Sequence, residues 1–141
     1  MKEITPVKVH LTTTITQDGQ SQKFHFDESG QLVRFNEHQR YLRYVEHQHG
    51  IATPVQFKLL EDALQLTREG EPKTNLTFDQ NKTTASQYQT QYGQIDLEVV
   101  TKQLEKEVDW EEHSGKLTVA YQLHSQGMLV GDYELALQFN A

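Results

Sequence analysis

The amino-acid sequence predicts an all-β chain folded as an antiparallel up-and-down barrel. Two observations carry this. Apolar side chains recur at every second position in row after row, the pattern of strands with one face buried and one face wet. Glycine, asparagine and aspartate fall between the rows, where a hairpin must reverse.

The first row is Val7, Val9, Leu11 and Ile15, with Lys8, His10, Thr12 and Thr14 on the other face. Asp18-Gly19 follows and predicts a tight hairpin. Phe24 and Phe26 alternate with Lys23, His25 and Asp27, and Ser29-Gly30 reads as the next turn. Val33 and Phe35 flank Arg34. Leu42 and Tyr44 lie opposite Arg43 and Val45, in a run that ends at Gly50. Val55, Phe57 and Leu59 bracket Gln56 and Lys58. Leu64 and Leu66 lead to Arg68 and a turn at Gly70-Glu71-Pro72. Leu76 and Phe78 precede a turn at Asn81. Tyr92-Gly93, Ser114-Gly115 and Gln126-Gly127 introduce the last rows: Ile95, Leu97 and Val99, then Leu117 to Leu123, then Tyr133 to Phe139.

About ten to twelve short strands joined by turns fit a sandwich or a barrel. The barrel is preferred because sequential hairpins lie side by side and closure removes exposed edges. One segment has two periods. Val100, Leu104 and Val108 are spaced for a helix, yet Glu105, Glu107, Asp109 and Glu111 alternate with Leu104, Lys106, Val108 and Trp110. A strand is predicted over 100–112, with a short helix as the alternative.

Composition bounds the rest. Leu, Ile, Val and Phe make up 35 of 141 residues, enough for one modest core in a single domain spanning 1–141. A net charge of −7, from 13 basic and 20 acidic residues, argues against nucleic acid and anionic membrane as partners. The absence of cysteine excludes disulfides and thiolate chemistry. No apolar stretch of signal-peptide or membrane-spanning length occurs, which predicts a soluble cytoplasmic protein.

Several strings resemble the YwiB-like family of small uncharacterised bacterial proteins. They are Thr5-Pro6-Val7 with His10, Tyr41-Leu42-Arg43-Tyr44-Val45-Glu46, Arg68 with Gly70, Tyr92-Gly93-Gln94-Ile95-Asp96-Leu97, Thr101-Lys102, and Gly115 with Ala120-Tyr121. Their collinear order over nearly the whole chain carries the resemblance. It implies a calycin-like (lipocalin-like) β-barrel and a bacterial source, and supplies no established activity. The Gly-x-Trp string of lipocalins is absent, the single tryptophan being Trp110.

Few residues suggest chemistry. His47 and His49 form a His-x-His pair that, on a strand, would point both rings to one side, and with Glu46 they are the candidate metal ligands. A polar strand end running into the Gly50 turn is the preferred reading, since a metal site needs three or four convergent ligands and only two histidines are paired here. Glu105, Glu107, Asp109, Glu111 and Glu112 read as a solvated face. Tyr44 and Glu46 continue the Leu42 face, and Arg68 continues the Leu64/Leu66 face. If those faces line a barrel, a glutamate and an arginine reach inward, either pairing with each other or gripping a polar ligand at the mouth. Tyr121 joins the same inner wall. No Gly-x-Ser-x-Gly, phosphate loop or H-E-x-x-H string is present.

The leading expectation is a non-enzymatic barrel that takes a small amphipathic ligand, with Tyr44, Glu46, Arg68 and Tyr121 as candidate ligand-binding residues and no cofactor. Val9, Phe24, Phe26, Leu42, Phe57, Leu66, Leu117, Val119, Leu135 and Leu137 would supply the remaining wall. The alternative is a protein–protein interaction or assembly module with a filled barrel, a homodimer among its forms. A hydrolase or metal-dependent enzyme is the second alternative.

Overall fold

The structure, a computed structural model, describes residues 2–70 and 73–141. Glu71 and Pro72 of the turn after Arg68 lie outside the described residues. The described chain forms ten strands: β1 (Glu3–Gln17), β2 (Gln20–Arg34), β3 (Arg40–Gln48), β4 (Ile51–Leu59), β5 (Leu64–Arg68), β6 (Thr74–Phe78), β7 (Thr84–Thr90), β8 (Gly93–Asp109), β9 (Ser114–Ser125) and β10 (Met128–Asn140). No described helix is long and apolar enough to cross a membrane.

All ten strands belong to one antiparallel sheet of order β6-β5-β4-β3-β2-β1-β10-β9-β8-β7. Every hairpin joins neighbours, and β1 pairs with β10 from Lys8↔Asn140 to Thr16↔Asp132. That ladder joins the two ends of the chain and curls the sheet into a barrel. The ends of the sheet, β6 and β7, meet without a main-chain ladder. Hydroxyl groups bridge them instead: Ser86 Oγ donates to the Asn75 carbonyl and Thr84 Oγ1 to the Thr77 carbonyl, the latter at 2.5 Å. Beside them the Asp79 N–H donates to Thr101 Oγ1 at 3.1 Å. The barrel is therefore nearly closed, with a seam sealed by side chains where unpaired edges would otherwise remain.

Three of the connections are two-residue turns with both residues in the left-handed region: Asp18-Gly19 (φ 51° and 77°), His49-Gly50 (52° and 78°) and Gln126-Gly127 (53° and 79°). This backbone matches the right-handed twist of the flanking strands. The turns sit at one end of the barrel, called upper below. The lower end carries the loops 35–39, 60–63, 79–83 and 110–113.

Two predicted turns are not turns. Ser29-Gly30 lies inside the unbroken β2, and Ser114-Gly115 opens β9. Both glycines are there for close approach. A Cβ on Gly30 would stand 2.6 Å from the Arg43 carbonyl, and one on Gly115 would stand 2.5 Å from the Glu107 carbonyl and 2.8 Å from the Phe139 ring. Glycine inside a strand often marks this. The ten strands lie within the expected ten to twelve, but β2 runs on where a turn was predicted and is longer than the turn signals suggest.

The segment with two periods is strand as far as Asp109, as predicted, while residues 110–112, also predicted as strand, form the turn. Its ambiguity has a local cause: the β8–β9 register shifts between Thr101 and Gln103. The extra residue of this bulge flips the alternation. Leu97, Val99 and Thr101 face inward before it, and Leu104, Lys106 and Val108 after it.

The lower half of the barrel is packed solid. Leu42, Leu64, Phe78, Leu117, Val119, Leu137 and Phe139 are at most 2% exposed. The lower end is then plugged. Arg34 and Arg40 stand over the Trp110 ring at 5.7 and 5.4 Å. Lys106 donates to the carbonyls of Leu60, Glu61 and Ala63, the last two at 3.0 and 2.9 Å. Burial holds its ammonium below the usual lysine range.

Candidate functional site

The upper half of the barrel is not filled. It holds a cavity of about 590 Å³, lined among others by Leu11, Ile15, Leu97, Leu123 and Leu135, with Tyr44, Glu46, Arg68, Tyr121 and Tyr133 projecting into it. Gln17, Thr74 and Ser125 stand at its upper rim. The volume lies inside the range of small-molecule sites, and an apolar wall with a few polar groups is their usual composition.

The geometry follows from strand register. Tyr44 pairs with Val55, and Val55 with Arg68, so tyrosine and arginine sit at one level two strands apart. Glu46, two residues further along β3, occupies the same face one step higher. Arg68 Nη2 lies 2.7 Å from Glu46 Oε2, with the glutamate side chain 5% exposed and the arginine 41%. Candidate residues from two separate rows thus meet as an ion pair. The contact is close but poorly aligned: Glu46 Oε2 is buried and accepts no hydrogen bond. The Tyr44 hydroxyl is also buried without a hydrogen-bond partner. Tyr44 lies nearly parallel to Phe57 (6.4 Å, 15°), and Tyr121 stacks on Tyr133 (5.0 Å, 7°) and leans on Phe78 (4.5 Å).

Burial dominates the electrostatics. It raises the Glu46 carboxyl above its ordinary range; Arg68 opposes this and Glu28 reinforces it. Burial likewise pushes the Tyr44 and Tyr121 hydroxyls well above the usual tyrosine range. Between the ordinary value of 4.5 and the raised one, folded Glu46 holds a proton that the unfolded chain has released. This part of the stability is therefore present at low pH and lost as pH rises. Relative to Glu46→Gln, the wild type is expected to lose stability as pH rises above the ordinary glutamate value of 4.5. Urea midpoints of both proteins measured at a series of pH values upward from about pH 4 check this; a constant or opposite difference contradicts it.

Glu28 was not visible as a site residue. It lies opposite Val9 on the inner row of β2, in step with Phe24 and Phe26, and that parity is the signal the sequence contained. β2 is laddered to β3 only over Gly30–Arg34, so its first part stands apart from β3. Glu28 spans this gap, accepting from the His47 main-chain N–H at 2.7 Å and contacting His47 Nδ1 at 3.0 Å.

The structure separates His47 and His49. The first is the penultimate residue of β3, beside Glu28; the second occupies a left-handed position in the following turn. His10 and His25 flank Asp27 on the outer face of β1 and β2, and the hydrogen bond from His10 leads in holding the Asp27 carboxyl below its usual range. Among the described residues, no group of three or more His, Asp or Glu is placed to hold a metal ion.

Of the predicted wall, Tyr44, Phe57, Leu66, Tyr121 and Leu135 line the cavity. Val9, Leu42, Leu117, Val119 and Leu137 belong to the packed core, where Phe26 is a half-buried neighbour. Phe24 is half-buried on the part of β2 that has left β3.

Comparisons with known proteins agree with this architecture. The family model described as a domain of unknown function (DUF1934) matches residues 9–137. The uncharacterized beta-barrel protein YwiB of Bacillus subtilis (strain 168) is 27% identical over 125 residues, covering 88% of this chain and 85% of that protein. The crystal structure of the ywiB protein from Bacillus subtilis superposes with a TM-score of 0.82 at 23% identity, over 98% of this chain and 92% of that one. A nearly closed antiparallel barrel and a family match over most of its length place the chain in the DUF1934 family of YwiB-like β-barrel proteins, whose function is unknown.

Proposed function

We propose that the protein is a non-enzymatic binding module that takes a small amphipathic ligand into the upper half of a calycin-like barrel. One observation carries this reading: a cavity of about 590 Å³ has two buried polar atoms, Tyr44 Oη and Glu46 Oε2, that the protein leaves without hydrogen bonds. A buried polar group with no partner costs roughly 1–3 kcal/mol, so a fold that keeps the Tyr44 hydroxyl unbonded, with Glu46 Oε2 met only by a misaligned ion pair, gains from a ligand that satisfies them. The apolar wall would take the tail. Exposed Ile51, Met128 and Leu129 on the upper hairpins would give that tail an apolar approach. An interaction module with a filled barrel has no use for this space.

The test is binding of the fluorescent probe N-phenyl-1-naphthylamine. Wild-type protein is expected to enhance its emission saturably, with one site per chain. Thr13→Trp, which puts an indole into the cavity from β1, is expected to abolish the enhancement while retaining the β-sheet circular dichroism spectrum. Unchanged emission with the wild type, or equal enhancement by the folded variant, would contradict the reading.

A further inference from the structure

We infer that the polar end of the cavity is built for a head group that donates hydrogen bonds and carries no negative charge, an amine or alcohol on an apolar tail, rather than a carboxylate. The inference rests on the cavity reading above and names its ligand class.

The first argument is the charge inside the wall. Among the described inward-facing residues of the upper half, Glu28, Glu46 and Arg68 are the charged ones. One carboxylate, Glu46, pairs with the guanidinium, and the other, Glu28, contacts His47. Glu28 is close enough to raise the Glu46 carboxyl, and only 12% of its side chain is exposed. Glu46 and Arg68 line the cavity while Glu28 stands beside it against His47, so a ligand carboxylate would add an anion next to a cation that already contacts Glu46 at 2.7 Å. Like charges brought together in a desolvated site are strongly rejected.

The second argument is hydrogen-bond valence. The unfilled positions are Glu46 Oε2 and Tyr44 Oη. Once ionised, Glu46 Oε2 accepts and cannot donate, so a ligand carboxylate, which brings acceptors only, can take the Tyr44 O–H but leaves Oε2 unfilled. An ammonium brings three donors and an alcohol one, so either completes Oε2, and each also has capacity for the tyrosine hydroxyl. The outer side of the Arg68 guanidinium faces water, its side chain being 41% exposed.

The experiment is displacement of N-phenyl-1-naphthylamine from the wild-type protein by decylamine, 1-decanol and decanoate near neutral pH, below their micelle concentrations. The amine is expected to bind tightest, the alcohol next and decanoate roughly tenfold or more weaker than the amine. Glu46→Gln, which keeps the shape and removes one negative charge, is expected to weaken the amine and strengthen decanoate, closing most of that gap. Decanoate binding the wild type as well as the amine does would overturn the inference and leave the cavity reading standing. A ranking unmoved by Glu46→Gln would overturn it too, because the discrimination would then lie elsewhere. No displacement by any of the three would also overturn it, and failure of the probe itself to bind would bring down the cavity reading as well.

Discussion

Phe78→Ala is expected to destabilise the fold by about 3–5 kcal/mol, the range for removing a large aromatic side chain from a sealed core. Phe78 is fully buried at the end of β6, its ring 4.5 Å from that of Tyr121, so the substitution removes both a wall of the lower core and a support of the cavity floor. The position is costly for a second reason. β6 is laddered only to β5, over five residues, and meets β7 through hydroxyl groups. Core packing therefore acts with these hydroxyl bridges to hold the seam shut. Small domains are stable by roughly 5–15 kcal/mol, so this single change would consume a large share. Urea denaturation measures the loss, and hydrogen exchange should show β6 and β7 losing protection before β1 and β10. A loss below about 1 kcal/mol, or uniform loss of protection, would mean that the seam does not depend on Phe78.

Gly115→Ala is expected to cost about 3 kcal/mol, at the upper end of the range for inserting a methyl group into a packed interior. Most overpacking is relieved by moving flexible side chains. Here the added carbon meets the Glu107 main-chain carbonyl at 2.5 Å and the edge of Phe139, which is itself 2% exposed. Relief requires separating β8 from β9 or displacing a sealed ring. Gly19→Ala provides the comparison. Gly19 has open space around it but a φ of +77°, so its cost is conformational, about 1–2 kcal/mol. The expected order, Gly115→Ala well above Gly19→Ala, is read from paired denaturation midpoints. The reverse order would show that the close approach at Gly115 is not a constraint.

Much of the site was legible because strand periodicity assigns faces. Tyr44 and Glu46 share parity with Leu42, and Arg68 shares parity with Leu66, so their inward direction needed no coordinates. Their meeting required register. Arg68 lies opposite Val55, and Val55 opposite Tyr44, only because the connections after β3 and β4 have the lengths they do. Parity also pointed to Glu28, but Ser29-Gly30 looked like a turn and ended the row one residue later. A glycine retained for close packing and a glycine that reverses the chain are the same letter in a sequence. The same confusion placed a turn at Ser114-Gly115. The phase flip at Lys102 blurred strand and helix because a bulge adds one residue to a two-residue period. The seam was hidden for a different reason. Thr84, Ser86 and Thr101 act across strands distant in sequence, and hydroxyl residues occur throughout this chain.

The central claim is that the upper barrel is a binding cavity, and native mass spectrometry of protein purified without detergent tests it most directly. Wild-type chains are predicted to carry a non-covalent adduct, or to take up one equivalent of offered decylamine, that Thr13→Trp chains do not. Wild-type protein that appears only at its bare mass and takes up no more decylamine than the folded Thr13→Trp variant would contradict the account.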